Sequence, residues 1–133
     1  MGMKKEIENE DDIQFLVTEF YKKATRDKTI GYFFTDVIKI NWQTHLPIIC
    51  SFWYSVLFGT TSYKGNPMLK HIELNKKEPL HKEHFTQWLI LWEETIDNFF
   101  VGKKAEEAKK KAIAMSQLMM YKIEASKQNG FIQ

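Results

Sequence analysis

Helical periodicity is the feature that most restricts how this chain of 133 residues can fold. Apolar side chains recur every three or four residues in four segments, which is the spacing of one buried helical face. These segments run from about Asp12 to Thr25, Trp42 to Phe58, His81 to Phe100 and Lys103 to Lys127. No segment alternates apolar and polar side chains as a half-buried strand does. The predicted fold class is therefore all-α.

Capping and helix-breaking residues predict where these helices start and stop. Asp11 or Asp12 can cap the first helix, and Gly59 is expected to end the second. Pro47 has no amide hydrogen to contribute to a helix. The second helix is therefore expected either to begin its regular part near Leu46 or to bend in its first turn.

The middle of the chain, residues 59–77, is expected to be poorly structured. It contains the turn-forming residues Gly65, Asn66 and Pro67 around a short apolar and basic piece, residues 68–72. This piece predicts a helix of one or two turns at most. Because long loops in compact domains tend to be functional, this segment is a candidate site.

Length, charge and cysteine content limit the class of protein. The length favours one domain over residues 1–133, with residues 1–10 and 128–133 expected to be flexible. The net charge is only +2, so neither nucleic acid nor a membrane is indicated as a partner. The lone Cys50 excludes an internal disulfide, and no apolar stretch is long enough to span a bilayer. We expect a cytoplasmic protein.

Histidines and aromatic side chains are the residues most able to carry chemistry. The four histidines are His45, His71, His81 and His84. The sequence has no HExxH, GxSxG or GxxxxGK[ST] motif, so hydrolase and nucleotide-binding functions lack support. An aromatic content of 14% suits a flat apolar ligand or an aromatic core. Tyr21 and Trp88 lie on buried stripes and can donate hydrogen bonds, although core packing is the better explanation for each of them taken singly.

An ordered series of segments, covering about residues 12–125, resembles the group III truncated haemoglobins. The series comprises Phe20-Tyr21, Tyr32-Phe33-Phe34, Trp42-Gln43-Thr44-His45, Phe52-Trp53-Tyr54-Ser55-Val56-Leu57-Phe58-Gly59, Tyr63-Lys64-Gly65-Asn66-Pro67, Leu69-Lys70-His71 and Phe85-Thr86-Gln87-Trp88-Leu89. The resemblance implies a shortened globin fold, a two-over-two helical sandwich around haem b (iron protoporphyrin IX). It also implies that the helix carrying the iron ligand is reduced to a short turn.

The resemblance also implies a role for each site residue. His71 would be the proximal ligand of the iron, while Tyr21 and Trp88 would donate hydrogen bonds to a ligand on the distal side. His45 would contact or gate that ligand. Contact with the porphyrin is implied for Phe34, Ile49 and Trp53, and contact with its propionates for Tyr63 and Lys70. His81 and His84 remain rivals of His71 for the iron, since the link before them is longer than usual.

Three functions are compatible with these residues. The first is reversible binding of dioxygen or another diatomic ligand, with no catalytic residue. The second is redox catalysis, such as nitric oxide dioxygenation or peroxide reduction, which would require an external reductase. The third is a helical interaction module without a cofactor.

Overall fold

The computed structural model describes residues 4–60, 63 and 65–129, without the side chains of residues 68 and 126–129. Within them the fold is all-α, as predicted, and the only strand-like pairing is an isolated bridge between Lys5 and Phe100. None of the described helices is both long enough and apolar enough to span a bilayer. The five helices are α1 (Glu10–Ala24), α2 (Trp42–Phe58), α3 (Pro67–Lys77), α4 (Lys82–Phe99) and α5 (Lys103–Asn129), and a π-helical turn covers Phe33–Val37.

Helix α1 starts two residues before its predicted start. Asn9 is the cap, and its side-chain oxygen accepts a hydrogen bond from the backbone N–H of Asp12 at 3.0 Å. The predicted cap, Asp11 or Asp12, is therefore wrong. Both carboxylates lie in the first turn instead, where they interact favourably with the positive end of the helix dipole.

Helix α2 keeps its predicted ends but contains Pro47. It begins at Trp42 after the Asn41 cap, so the alternative of a start near Leu46 is wrong. Gly59 ends the helix with a φ of 69°, a backbone conformation that glycine adopts without strain. Pro47 is the sixth helical residue, and the helix continues past it for three further turns.

Helix α3 is longer than the sequence predicts. It has eleven residues, where one or two turns were expected, and so the chain has five substantial helices instead of four. Asn66 caps it by accepting a hydrogen bond from the Leu69 N–H at 3.0 Å, and Pro67 occupies the first helical position. Among the described side chains of this helix only Ile72 is buried, which explains why apolar periodicity missed it.

The helices form a sandwich with an opening between α2 and α3. Helix α1 packs against α2 and α4, and α5 packs against α2, α3 and α4. In the described part of the chain, α3 makes no comparable contact with α2. The buried core is accordingly divided into a large cluster centred on α1, α2 and α4 and a small one formed by Ile72, Phe85, Met119 and Ile123.

Trp92 lies at the centre of the large cluster. Its ring is 1% exposed and stacks between Trp53, at 4.6 Å, and Trp88, at 5.5 Å. Phe20 meets the same ring edge-on at 5.2 Å. The indole N–H of Trp92 donates to the Ala108 carbonyl at 3.3 Å, so this buried donor is satisfied. This stack fixes Trp88 and Phe20 in position beside it.

Part of the N-terminal segment contacts the core. Ile7 is 2% exposed, and the backbone of Lys5 forms hydrogen bonds with Phe99 and Val101. Of the segments expected to be flexible, residues 1–3 and 130–133 lie outside the described residues. The flexibility of residues 4–10 stays a prediction, and these contacts count against it.

Candidate functional site

His71 lies at the middle of α3 with a defined hydrogen bond. Its Nδ1 is 2.7 Å from the carbonyl oxygen of Pro67, one turn earlier. Because a carbonyl oxygen can only accept, Nδ1 must carry the hydrogen, and Nε2 is left with a free lone pair. Burial lowers the pKa of His71, which favours the neutral ring. This is the tautomer and charge state that an imidazole needs to ligate a metal.

His45 approaches the same space from α2. It is half-buried, and its pKa is lowered first by burial and then by the neighbouring charge of His71. The two imidazoles are therefore close enough to influence each other, although their helices hardly touch. His45 lies on α2 and His71 on α3, the two helices on either side of the opening.

Tyr21 sits in a shell of aromatic rings at the α1–α2 contact. Its ring centroid is 5.0 Å from that of Trp42, 5.5 Å from Phe34 and 5.8 Å from His45. Burial raises the pKa of Tyr21, so the phenol keeps its proton. Among the described residues no group forms a hydrogen bond with its hydroxyl. No fully buried side-chain polar atom of the described residues lacks a partner, so this unpaired hydroxyl is open to solvent and can donate to a ligand.

Trp88 is a second donor close to Tyr21. It is half-buried on α4, and its indole N–H likewise forms no hydrogen bond within the described part of the chain. Phe20 contacts both side chains, with ring centroids 5.1 Å from Tyr21 and 5.2 Å from Trp88. The two unpaired donors therefore lie on either side of one phenylalanine ring.

The residues predicted to contact a porphyrin have different degrees of burial. Phe34 and Ile49 are half-buried at the edge of the large cluster, where a ligand could reach them. Trp53 is only 3% exposed and stacks on Trp92, so it lies inside the core. Its contact with a porphyrin stays a prediction that this position does not favour.

The two residues predicted to contact propionates lie at the outer part of the site. Tyr63 is half-buried against the ring of Phe52 at 5.1 Å, and burial raises its pKa. Lys70 precedes His71 on α3, is exposed, and forms no ion pair with any described residue. An exposed cation next to His71 is available to a carboxylate.

His81 and His84 are engaged elsewhere. Nδ1 of His84 accepts a hydrogen bond from the backbone N–H of His81 at 2.9 Å, and the backbone N–H of His84 donates to the His81 carbonyl at 3.0 Å. The His84 ring also packs on Phe33 at 4.9 Å. These contacts cap the start of α4, and they favour His71 over its two rivals as a metal ligand.

Trp42 is a site residue that the sequence interpretation missed. Its ring contacts Tyr21 and lies 5.7 Å from the ring of His45. The signal was available, because positions 42, 45 and 49 have the spacing of one helical face. The interpretation used Trp42 as the beginning of α2 and as part of the family series, but gave it no role in the site.

Comparison with known proteins identifies the family and the fold of the chain. No family model matches the chain. The chain is 36% identical over 98 residues to the group 3 truncated hemoglobin ctb of Campylobacter jejuni. The matched region covers 71% of this chain and 75% of that protein. The crystal structure of a group III truncated hemoglobin from Campylobacter jejuni superposes with a TM-score of 0.78 and 29% identity, over 88% of this chain and 92% of that one.

The resemblance and the truncated-globin fold predicted from the sequence are both confirmed by these similarities. A relative of more than one-third identity matches most of the chain, and the fold agrees over nearly all of the solved structure. The chain belongs to the group 3 truncated haemoglobins, a family of haem-binding globins.

Proposed function

We propose that this protein binds haem b, iron protoporphyrin IX, in the opening between α2 and α3, and reversibly holds dioxygen or another diatomic ligand. The observation that carries the proposal is the hydrogen bond between His71 Nδ1 and the Pro67 carbonyl at 2.7 Å. A ligating histidine usually donates its second ring N–H to such an acceptor, which fixes the ring and exposes Nε2 to the metal.

The residues around the opening fit a haem. The core is divided into a cluster that includes α2 residues and a cluster that includes Ile72 of α3, so each helix beside the opening contributes apolar side chains. Phe34 and Ile49 are partly exposed at the edge of the large cluster, as residues that line a flat apolar ligand should be. His45 and His71 approach from opposite helices, which gives the cofactor a distal and a proximal side.

Two of the chain's own donors would hold the distal ligand. Haem, when bound, supplies an iron with one open coordination position, and it shifts negative charge onto a diatomic ligand there. Tyr21 keeps its proton because burial raises its pKa, and an indole N–H can only donate. Tyr21 and Trp88 therefore favour a ligand with negative charge, each by about 1.5–3 kcal/mol for a hydrogen bond to a charged acceptor.

The remaining predicted residues support binding at the rim. Lys70 is exposed beside His71 and has no carboxylate partner among the described residues, so it can pair with a propionate. Such a solvent-exposed pair contributes about 0–1 kcal/mol. His45, half-buried next to Tyr21, is placed to contact or gate the ligand.

Absorption spectra of the ferric and ferrous forms test this proposal. We expect the purified protein to show a haem spectrum, His71→Ala to lose the axial imidazole or the haem, and His84→Ala to resemble the wild type. Loss of axial ligation in His84→Ala but not in His71→Ala would transfer the proximal role to His84. A colourless protein that takes up no added haemin would leave the helical interaction module as the better hypothesis.

A further inference from the structure

A groove outside the proposed haem site runs along the contact between α1 and α2. Its volume is about 410 Å3. One wall contains Gln14 and Thr18 of α1, and the other contains Trp42, Leu46 and Cys50 of α2. A water molecule in the liquid occupies about 30 Å3, so the groove has room for a diatomic molecule several times over.

One end of the groove meets the distal side chains. Trp42 belongs to the groove wall, and its ring also contacts Tyr21 at 5.0 Å and His45 at 5.7 Å. Thr18 lies one helical turn before Tyr21 on α1. The indole of Trp42 therefore contacts both the groove and the two distal side chains.

Trp42 is held more weakly than the tryptophans of the core. It is the first residue of α2, only half-buried, and its indole N–H forms no hydrogen bond with any described residue. The next turns of α2 are also short of one backbone hydrogen bond, because Pro47 has no N–H to donate to the carbonyl of Gln43. Movement of this ring breaks no polar contact.

The groove lining is uncharged apart from Glu10. Trp42, Leu46 and Pro47 are apolar, and burial raises the pKa of the Cys50 thiol, which therefore stays uncharged. The other lining residues are polar without charge: Gln14, Thr18, Gln43 and Ser51. Glu10 places a carboxylate on the lining, which disfavours anions. Carbon monoxide, nitric oxide and dioxygen have the required size and lack of charge.

From these contacts, and resting on the proposed haem binding, we infer that the α1–α2 groove is an entry path for neutral diatomic ligands and that Trp42 is its gate. A ligand enters the groove, the indole turns aside, and the ligand arrives next to Tyr21 and His45. Passage past His45 directly from solvent is the competing path.

The bimolecular rate of carbon monoxide rebinding after flash photolysis of the ferrous haem protein tests this inference. We expect Thr18→Trp, which fills the groove next to Trp42, to slow rebinding several-fold. Trp42→Ala should accelerate it. The matched control is Ile48→Trp, since Ile48 is 51% exposed on the same helix outside the groove, and it should leave the rate unchanged.

A second measurement avoids any effect of substitution on folding. Cys50 is the only cysteine of the chain, so a maleimide added to the folded haem protein fills the groove at one defined place. We expect the modified protein to rebind carbon monoxide several-fold more slowly, with maleimide-treated Cys50→Ala as the control. Wild-type rates in both Thr18→Trp and the modified protein, together with faster rebinding in His45→Ala, would overturn the groove path. That result would leave haem binding intact, whereas a protein that binds neither haem nor carbon monoxide would refute the proposed function itself.

Discussion

Two aromatic regions of this molecule use similar residues in different ways. Around Trp92, rings stack closely, the central ring is 1% exposed, and its N–H donates to the Ala108 carbonyl. Around Tyr21, rings meet edge-on or tilted, and the hydroxyl has no hydrogen-bond partner among the described residues. In a helical protein rich in aromatic residues, a packed core can thus be told from a candidate ligand site by whether the N–H or O–H of the aromatic side chain forms a hydrogen bond within the protein.

The largest effect is expected from the packed region. Trp92→Ala should lower the free energy of unfolding by about 3–5 kcal/mol, since it removes a large ring from the centre of the core. Trp92→Phe is the matched variant, because it keeps one aromatic ring and loses the hydrogen bond to Ala108 and part of the ring volume, and it should cost less. Urea unfolding of the ferric haem protein measures both. The comparison fails if Trp92→Ala unfolds at the wild-type urea concentration.

A smaller and different effect is expected from the Tyr21 region. Tyr21→Phe should change stability little, because the hydroxyl has no described protein partner to lose. It should accelerate dioxygen release, since the lost hydrogen bond contributes about 1.5–3 kcal/mol to holding a ligand with negative charge. Stopped-flow displacement of dioxygen by carbon monoxide measures the rate. The control is Tyr54→Phe, which removes a hydroxyl from a different helix, α2. An unchanged rate of dioxygen release in Tyr21→Phe would refute the distal assignment.

The smallest effect is a pH dependence of stability that arises at the start of α4. This helix contains Trp88 and Trp92, one from each of the two regions. The pKa of His84 is lowered mainly by burial and also by the charge of His81, while Glu83 and Glu78 oppose the shift. The folded pKa thus lies below the unfolded value of about 6.5. The stabilisation by neutral His84 is complete above the unfolded pKa of about 6.5, and it is lost as the pH falls through the folded pKa.

His84→Gln tests this pH dependence. Glutamine still offers an acceptor but does not titrate, so the stability of the variant should fall less steeply than that of the wild type below about pH 6.5. The difference should be on the order of 1 kcal/mol, the usual contribution of a helix cap. Urea unfolding at a series of pH values measures it. Parallel curves for the two proteins would show that the cap is indifferent to the charge of His84.

The sequence predicted the helices that bury a continuous apolar face. Helices α1, α2, α4 and α5 start and stop within two residues of their predicted positions, because each has a regular stripe. Helix α3 was predicted too short, because among its described side chains only Ile72 is buried, and its second half contains the polar residues Glu73, Asn75, Lys76 and Lys77. Its true length depends on local signals, the Asn66 cap and Pro67 at the first position.

The site was predictable only in part, because periodicity indicates which side chains are buried but not which of their donors are paired. Periodicity placed Tyr21 and Trp88 on buried stripes, but it placed Trp92 on the same stripe as Trp88. Only tertiary packing shows that the N–H of Trp92 is satisfied and that of Trp88 is not. The choice of His71 came from the family resemblance, and its contact with Pro67 exists only because four residues span one turn of a helix.

The partner of His71 also bears on electron donation. A backbone carbonyl is uncharged, so it polarises the ring N–H less than a carboxylate would, and the imidazole remains a moderately basic ligand. Strong donation from a proximal ligand favours cleavage of an O–O bond, whereas moderate donation favours holding a ligand and releasing it. With haem bound as proposed, the acceptor that begins α3 would favour holding and releasing a ligand over O–O cleavage, and a comparatively high reduction potential would be its measurable sign.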